Sequence, residues 1–207
     1  MRKIKVKNGM KSFGSQTVLD SVNIQCESGH IYGIVGHNGS GKTVLFKCIC
    51  GFMNLDAGEI EIDGVKRGKK GEILTGAGII IEEPSFLKNV SGIRNLDILY
   101  RVNHKKYLPY LKEVMERVGL DPDSKKPVGN YSMGMRQRLA IAQAIMENQE
   151  ILILDEPMNG LDHKGVEEMR ELFLGLKRAG KLILLAVITG KILIYCATRF
   201  MRWRWEN

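Results

Sequence analysis

Residues 36–43 read GHNGSGKT, and the segments on either side give them their meaning. His30–Gly36, HIYGIVG, is a short and nearly continuous apolar run, as a buried strand has, and Lys42–Phe52, KTVLFKCICGF, repeats apolar residues at helical spacing. Strand, glycine-rich loop and helix, in that order, is the setting in which G-x-x-x-x-G-K-[ST] cradles a phosphate chain. Gly36, Gly39 and Gly41 allow backbone turns that a side chain would block, so successive N–H groups of the loop, which also holds His37, Asn38 and Ser40, point inward at phosphate oxygens. Lys42 supplies a cation for the β and γ phosphates and Thr43 a hydroxyl ligand for Mg²⁺. The positive end of the following helix adds to the anion site.

The complementary acids lie at the end of a second apolar run, Ile151–Pro157, ILILDEP. Asp155 is placed to hold Mg²⁺ directly or through water, and Glu156 to polarise an attacking water or accept its proton. Alone, such a run reads equally as a plain strand followed by a solvated turn. Together with the phosphate loop it reads as the hydrolytic half of one site.

Working outward, residues 3–13 and 18–26 alternate apolar and polar residues around Gly14–Ser15, which predicts paired strands of a small antiparallel sheet. GEIEIDG (58–64) predicts another alternating strand, and GAGIIIEEP (76–84) a buried strand stopped by Pro84. From residue 91 to residue 148 the pattern turns helical, with Tyr107–Leu120 as one amphipathic helix and 121–130 as a loop. Residues 163–180 predict a helix ended by Gly180, and KLILLA (181–186) a further core strand. Strands alternating with helices imply a mainly parallel sheet. The expected fold is therefore α/β. It has a phosphate-loop NTPase core, an N-terminal antiparallel β subdomain and an inserted helical subdomain over about residues 85–147. Residues 1–186 form one unit, and 187–207 form an atypical tail outside it.

Composition limits the remaining choices. With 207 residues, 44% hydrophobic and 26% charged, the chain suits one good-sized globular domain. Part of the net charge of +8 sits in the tail, where Lys191, Arg199, Arg202 and Arg204 face only Glu206, so the rest reads as a solvated surface and not as a nucleic-acid footprint. Cys26, Cys48, Cys50 and Cys196 match neither a zinc pair nor a disulfide framework and read as small buried apolar residues of a reducing compartment. The amino terminus lacks the apolar region of a signal peptide, and no apolar run approaches the roughly 20 residues that span a bilayer. A cytoplasmic location is expected.

YSMGMRQRLAIAQAI (131–145) resembles the signature motif of ATP-binding cassette (ABC) proteins. In that family a serine and a glycine at a helix start contact nucleotide, and Ser132 and Gly134 hold those places. Met133 replaces the usual small residue and Met135 the usual glutamine. A hydroxyl, a free N–H and a helix N-terminus together make a second anion surface. NGLD (159–162) resembles the family's D-loop, with Asp162 as its aspartate. Phe13 in KSFG matches the aromatic that stacks on adenine, a core position being the other reading of a single aromatic. Glu82 stands where cassettes carry the Q-loop glutamine. A carboxylate there still reaches Mg²⁺ or its waters but donates no amide hydrogen bond. IEEPSF and YSMGM together look like the bacitracin and lantibiotic exporter branch.

The resemblance implies an ATP-hydrolysing subunit that uses Mg²⁺, pairs head to tail with a second cassette, and powers a separate membrane permease for export of a peptide or drug. It would lie on the inner face of the cell membrane through that permease. A non-transport ABC ATPase and a cassette that binds ATP with impaired turnover are the alternatives. The second arises because Val187 and Ile188 stand where the family carries Ser-His, the histidine contacting the γ phosphate, and His30, His37, His104 and His163 all lie elsewhere. From the third base of the Ala186 codon, permitted codons read SHNRENIDILCNEVYEMEMGK without a stop. A shifted reading frame is the expected origin of the tail.

Overall fold

The computed structural model describes residues 1–67, 72–82 and 85–187, together with the backbone of the strand at 199–202. The first strands, β1 (Lys3–Phe13) and β2 (Gln16–Glu27), form a hairpin turned at Gly14, whose φ of +59° suits a residue without a Cβ. β4 (Ala57–Ile62) adds antiparallel to β1 with Ile62 opposite Ile4 and Ile60 opposite Val6, and β5 (Val65–Arg67) completes the order β2-β1-β4-β5. The alternation seen in the sequence is thus an alternation of faces, with Ile4, Val6, Ile60 and Ile62 buried together.

The second sheet is parallel throughout. It comprises β3 (His30–Val35), β6 (Ala77–Ile80), β7 (Ile151–Asp155), β8 (Leu182–Val187) and β9 (Arg199–Arg202), in the order β6-β7-β8-β3-β9. Its central strands are continuous apolar runs because both faces are covered. Ile151 and Ile153 of β7 and Leu182, Leu184 and Ala186 of β8 join a core with the antiparallel sheet and α1 (Lys42–Ile49). Leu152, Leu154, Ile183, Leu185 and Val187 join the other core, with α5 (His163–Arg178) and the helical insertion of α2 (Gly92–Tyr100), α3 (Leu108–Arg117) and α4 (Met133–Ile145).

Three boundaries differ from expectation. The helix expected over 107–120 spans Leu108–Arg117 and closes on Gly119 (φ +72°), whose N–H bonds Glu116 O while that of Leu120 bonds Met115 O, the pattern of a helix stopped by a left-handed residue. β6 ends at Ile80, short of the expected stop, because Glu82 takes φ +65° and turns the chain away; Glu83 and Pro84 lie outside the described residues. The tail, expected to stand apart, gives Val187 to β8, and its backbone at 199–202 pairs in parallel with 32–35 of β3, covering an open sheet edge. Ile188 and the rest of the tail lie outside the described residues, as does Cys196.

Cys26, Cys48 and Cys50 are buried and form no disulfide with one another, and burial pushes the Cys48 thiol up to about 11 and that of Cys50 to about 12, which leaves these two unreactive. Among the described residues, no helix is long and apolar enough to cross a membrane.

Candidate functional site

The site forms where β3, β7 and β8 end together. Gly36 donates its N–H to Val187 O at 3.2 Å, which fixes the start of the phosphate loop to β8. The loop enters α1 through Gly41 at φ +88°, where a Cβ would lie 2.7 Å from Val18 O, so glycine is needed both for the conformation and for the close approach of β2. Ser40 and Lys42 are almost fully buried, and the Lys42 ammonium donates to Gly36 O (2.7 Å) and His37 O (3.0 Å) from inside the loop. No acidic residue of α1 itself occupies its first turn, so nothing within the helix offsets its positive end and Lys42.

Beneath the loop, Thr43 Oγ1 donates to Asp155 Oδ2 at 2.5 Å. Asp155 Oδ1 is buried and has no hydrogen-bond partner among the described residues. Burial raises the Asp155 pKa above the ordinary carboxylate value, outweighing the opposing pull of the Thr43 bond and the Lys42 charge. An orphaned carboxylate oxygen beside a hydroxyl is a hard-oxygen donor set that suits Mg²⁺, so the residues present fit that ion. Glu156 follows at φ +47°, held by its N–H to Ala186 O at 3.0 Å, and Gln137 Nε2 donates to its carbonyl at 3.5 Å. Such a backbone state costs on the order of 1–3 kcal/mol and recurs where a side chain must be aimed.

A cavity of about 720 Å³ opens beside these groups, lined by Thr43, Glu82, Asp155 and Glu156 from the sheet side and by Arg136 and Gln137 from the helical insertion. Glu82, on this lining, forms an ion pair with Lys47 of α1. Of the residues the sequence assigns to catalysis and metal, the structure therefore gathers Lys42, Thr43, Glu82, Asp155 and Glu156 around one loop and cavity.

The remaining assignments lie outside this cavity's lining. Ser132 caps α4 by accepting the Met135 N–H at 3.2 Å, and Met135 is half-buried against the helical core. Gly134 approaches the D-loop so closely that a Cβ would lie 3.0 Å from Gly160 O, and a Cβ on Gly160 would meet Met133 at 2.6 Å. Asp162 caps α5 by accepting the Gly165 N–H at 2.8 Å. Phe13, which the sequence leaves open between core and stacking, is 47% exposed at the end of β1 with Lys11 Nζ 5.7 Å from its ring centre, which removes it from the core.

Three contributors escaped sequence reasoning. Gln137 and Arg136 belong to the RQR run, and their positions one turn into α4 are the signal that could have placed them at the cavity. Lys47 lies four residues after Thr43 and so shares its helix face.

Comparison with known proteins agrees with this geometry. The family profile described as ABC transporter matches residues 19–159. The bacitracin transport ATP-binding protein BcrA of Bacillus licheniformis is 44% identical over 178 residues, 84% of this chain and 58% of that protein. The lantibiotic transport ATP-binding protein SrtF of Streptococcus pyogenes is 36% identical over 186 residues, 88% of this chain and 79% of that one. The chain thus spans little more than half of the first relative. The dimeric structure of MJ0796, a bacterial ABC transporter cassette, superposes with a TM-score of 0.83 at 21% identity, covering 97% of this chain and 94% of that one, which is a likeness of fold. The chain belongs to the ABC transporter family.

Proposed function

We propose that this chain is the ATP-binding and ATP-hydrolysing subunit of an ABC transporter, that it powers a separate membrane permease, and that the cargo exported is a peptide or drug. The observation that carries this reading is the meeting of Lys42 in the loop, Thr43 against Asp155 with its unpartnered Oδ1, and Glu156 where the central strands of the parallel sheet end. The loop amides and Lys42 bind and orient the phosphates, and Glu156 orients water and takes its proton. Mg²⁺, when held by Thr43 and Asp155 with Glu82 in reach, supplies charge neutralisation for the transferred phosphoryl group. The bacitracin and lantibiotic relatives support the choice of cargo class.

Phe13 serves as the base platform. Ser132, Gly134, Met135 and Asp162 serve a second cassette bound head to tail, since they lie outside the cavity lining that Thr43, Asp155 and Glu156 share. The γ phosphate then favours the closed pair, its loss reopens it, and the permease follows this cycle from the inner face of the membrane. Nucleic acid is not a partner.

ATP binding and phosphate release by the chain and its Glu156→Gln variant test this. Glu156→Gln should retain ATP binding and lose about 10²- to 10⁴-fold in turnover. A chain that binds no ATP, or a variant that turns over as fast as the parent, sinks the reading. A second reading, ATP binding with weakened turnover, is favoured by Val187, an apolar member of β8, at the place where the resemblance calls for serine before a histidine.

A further inference from the structure

One charged side chain with no role in the reading above reaches the same site. Thr43 and Lys47 stand one turn apart on α1, so the hydroxyl and the ammonium project from one face. The hydroxyl lies on Asp155 and the ammonium on Glu82, which the left-handed backbone at φ +65° delivers to the cavity lining just beyond β6. Two carboxylates thus flank Thr43, one with an empty oxygen and one already matched by a cation from the protein itself.

A divalent ion at Thr43 and Asp155 would therefore meet an ammonium that repels it and a carboxylate that the ammonium occupies. The Lys47 and Glu82 side chains are 28% and 64% exposed. Solvated ion pairs of this kind are weakly held, so a doubly charged competitor takes the carboxylate readily and releases it readily. A neutral side chain at position 47 would leave Glu82 free to face the ion permanently.

We propose that Lys47 is a positioning residue for the cation step: it competes with the divalent ion for the Glu82 carboxylate, and so sets how tightly the ion is retained. This rests on the reading of Thr43 and Asp155 as cation ligands. The carboxylate exchanges between two positive partners, and the ion leaves when Lys47 recovers it. No bond is made or broken in this exchange.

The test is Mn²⁺ binding in the presence of ADP, followed by electron paramagnetic resonance of the free ion. It uses the full chain, its Lys47→Met, Lys47→Gln, Lys47→Arg and Glu82→Gln variants, and the combination of Lys47→Met with Glu82→Gln. Thermal melting without metal confirms that each is folded, and the two neutral variants guard against one that is not. Lys47→Met and Lys47→Gln should bind Mn²⁺ about 3- to 10-fold more tightly than the parent, and Lys47→Arg within about twofold of it. On the Glu82→Gln background, Lys47→Met should tighten binding clearly less than in the parent, because the contested carboxylate is gone and only direct repulsion by the ammonium is relieved. Tightening that is equal with and without Glu82 would overturn the proposal, as would no tightening in chains that bind Mn²⁺ normally. A parent chain that binds Mn²⁺·ADP no better than its Asp155→Asn variant would instead mean that the cation site itself is misassigned, and this proposal would fall with it.

Discussion

Replacing Asp155 by asparagine should strengthen the free protein and weaken the loaded one. The variant keeps the shape of the side chain and an oxygen for the Thr43 hydroxyl, but removes a charge that burial disfavours and whose Oδ1 finds no partner. A buried polar atom left unmatched costs about 1–3 kcal/mol. Taking the lower half of that range, because the asparagine amide is itself polar, gives a rise in Tm of roughly 2–8 °C for a chain of this size. The pH dependence has a definite sign. The folded pKa of Asp155 is raised, so the native chain takes up a proton more readily than the unfolded one, and the parent gains stability as pH falls through that pKa toward the lower, unfolded value. The asparagine variant gains nothing from this group, and the gap between the two should narrow as the pH falls through the raised pKa toward the ordinary carboxylate value. With Mg²⁺ and nucleotide at about 100 times the dissociation constant, the parent should gain about 2.7 kcal/mol and the variant far less, so the order of melting reverses. Scanning calorimetry at several pH values, with and without Mg²⁺·nucleotide, decides the matter. A variant that melts below the parent at neutral pH without ligand, or that keeps the whole ligand-induced gain, refutes the reasoning.

Other perturbations separate binding from folding. Phe13→Ala should weaken binding of a fluorescent ATP analogue by roughly 3- to 10-fold, the worth of one aromatic stack, while leaving Tm within about 1 °C because the ring is half-exposed. Gly78→Ala should lower stability by about 2–3 kcal/mol or more, since its Cβ would lie 1.9 Å from Ala144 O and force α4 off β6; Gly180→Ala, strained at φ +85° but facing open space, should cost about 1 kcal/mol by the same denaturant titration. A chain in which residues 187–207 are replaced by SHNRENIDILCNEVYEMEMGK should hydrolyse ATP about 10²- to 10⁴-fold faster than the present one, and equal turnover would remove the case for a missing histidine.

The site was legible wherever a residue's role depends on its near neighbours. GHNGSGKT lies between strand and helix, and ILILDEP ends an apolar run at two acids, so local pattern placed Lys42, Thr43, Asp155 and Glu156 without knowledge of the packing. Contacts between distant segments were not legible. The Lys47–Glu82 pair spans 35 residues and depends on a left-handed turn that a glutamate does not advertise. Phe13 is left exposed at the end of β1 because the hairpin closes one residue later. The strand at 199–202 escaped notice because four residues with Phe200 and Met201 side by side carry no alternation, and its pairing is dictated by the open edge of β3.

The end of β8 carries two adjacent anchors: Val187 O holds the first amide of the phosphate loop, and Ala186 O holds the amide of Glu156. The phosphate loop and the carboxylate proposed to handle water are thus mounted on one beam, one residue apart. A shift of that beam carries both parts in the same direction and leaves the separation between them nearly constant. The distance that chemistry depends on is thereby insulated from whole-strand motion. It is exposed instead to changes that act on one anchor alone, and the join to the tail, which falls between Ala186 and Val187, is where such a change would enter.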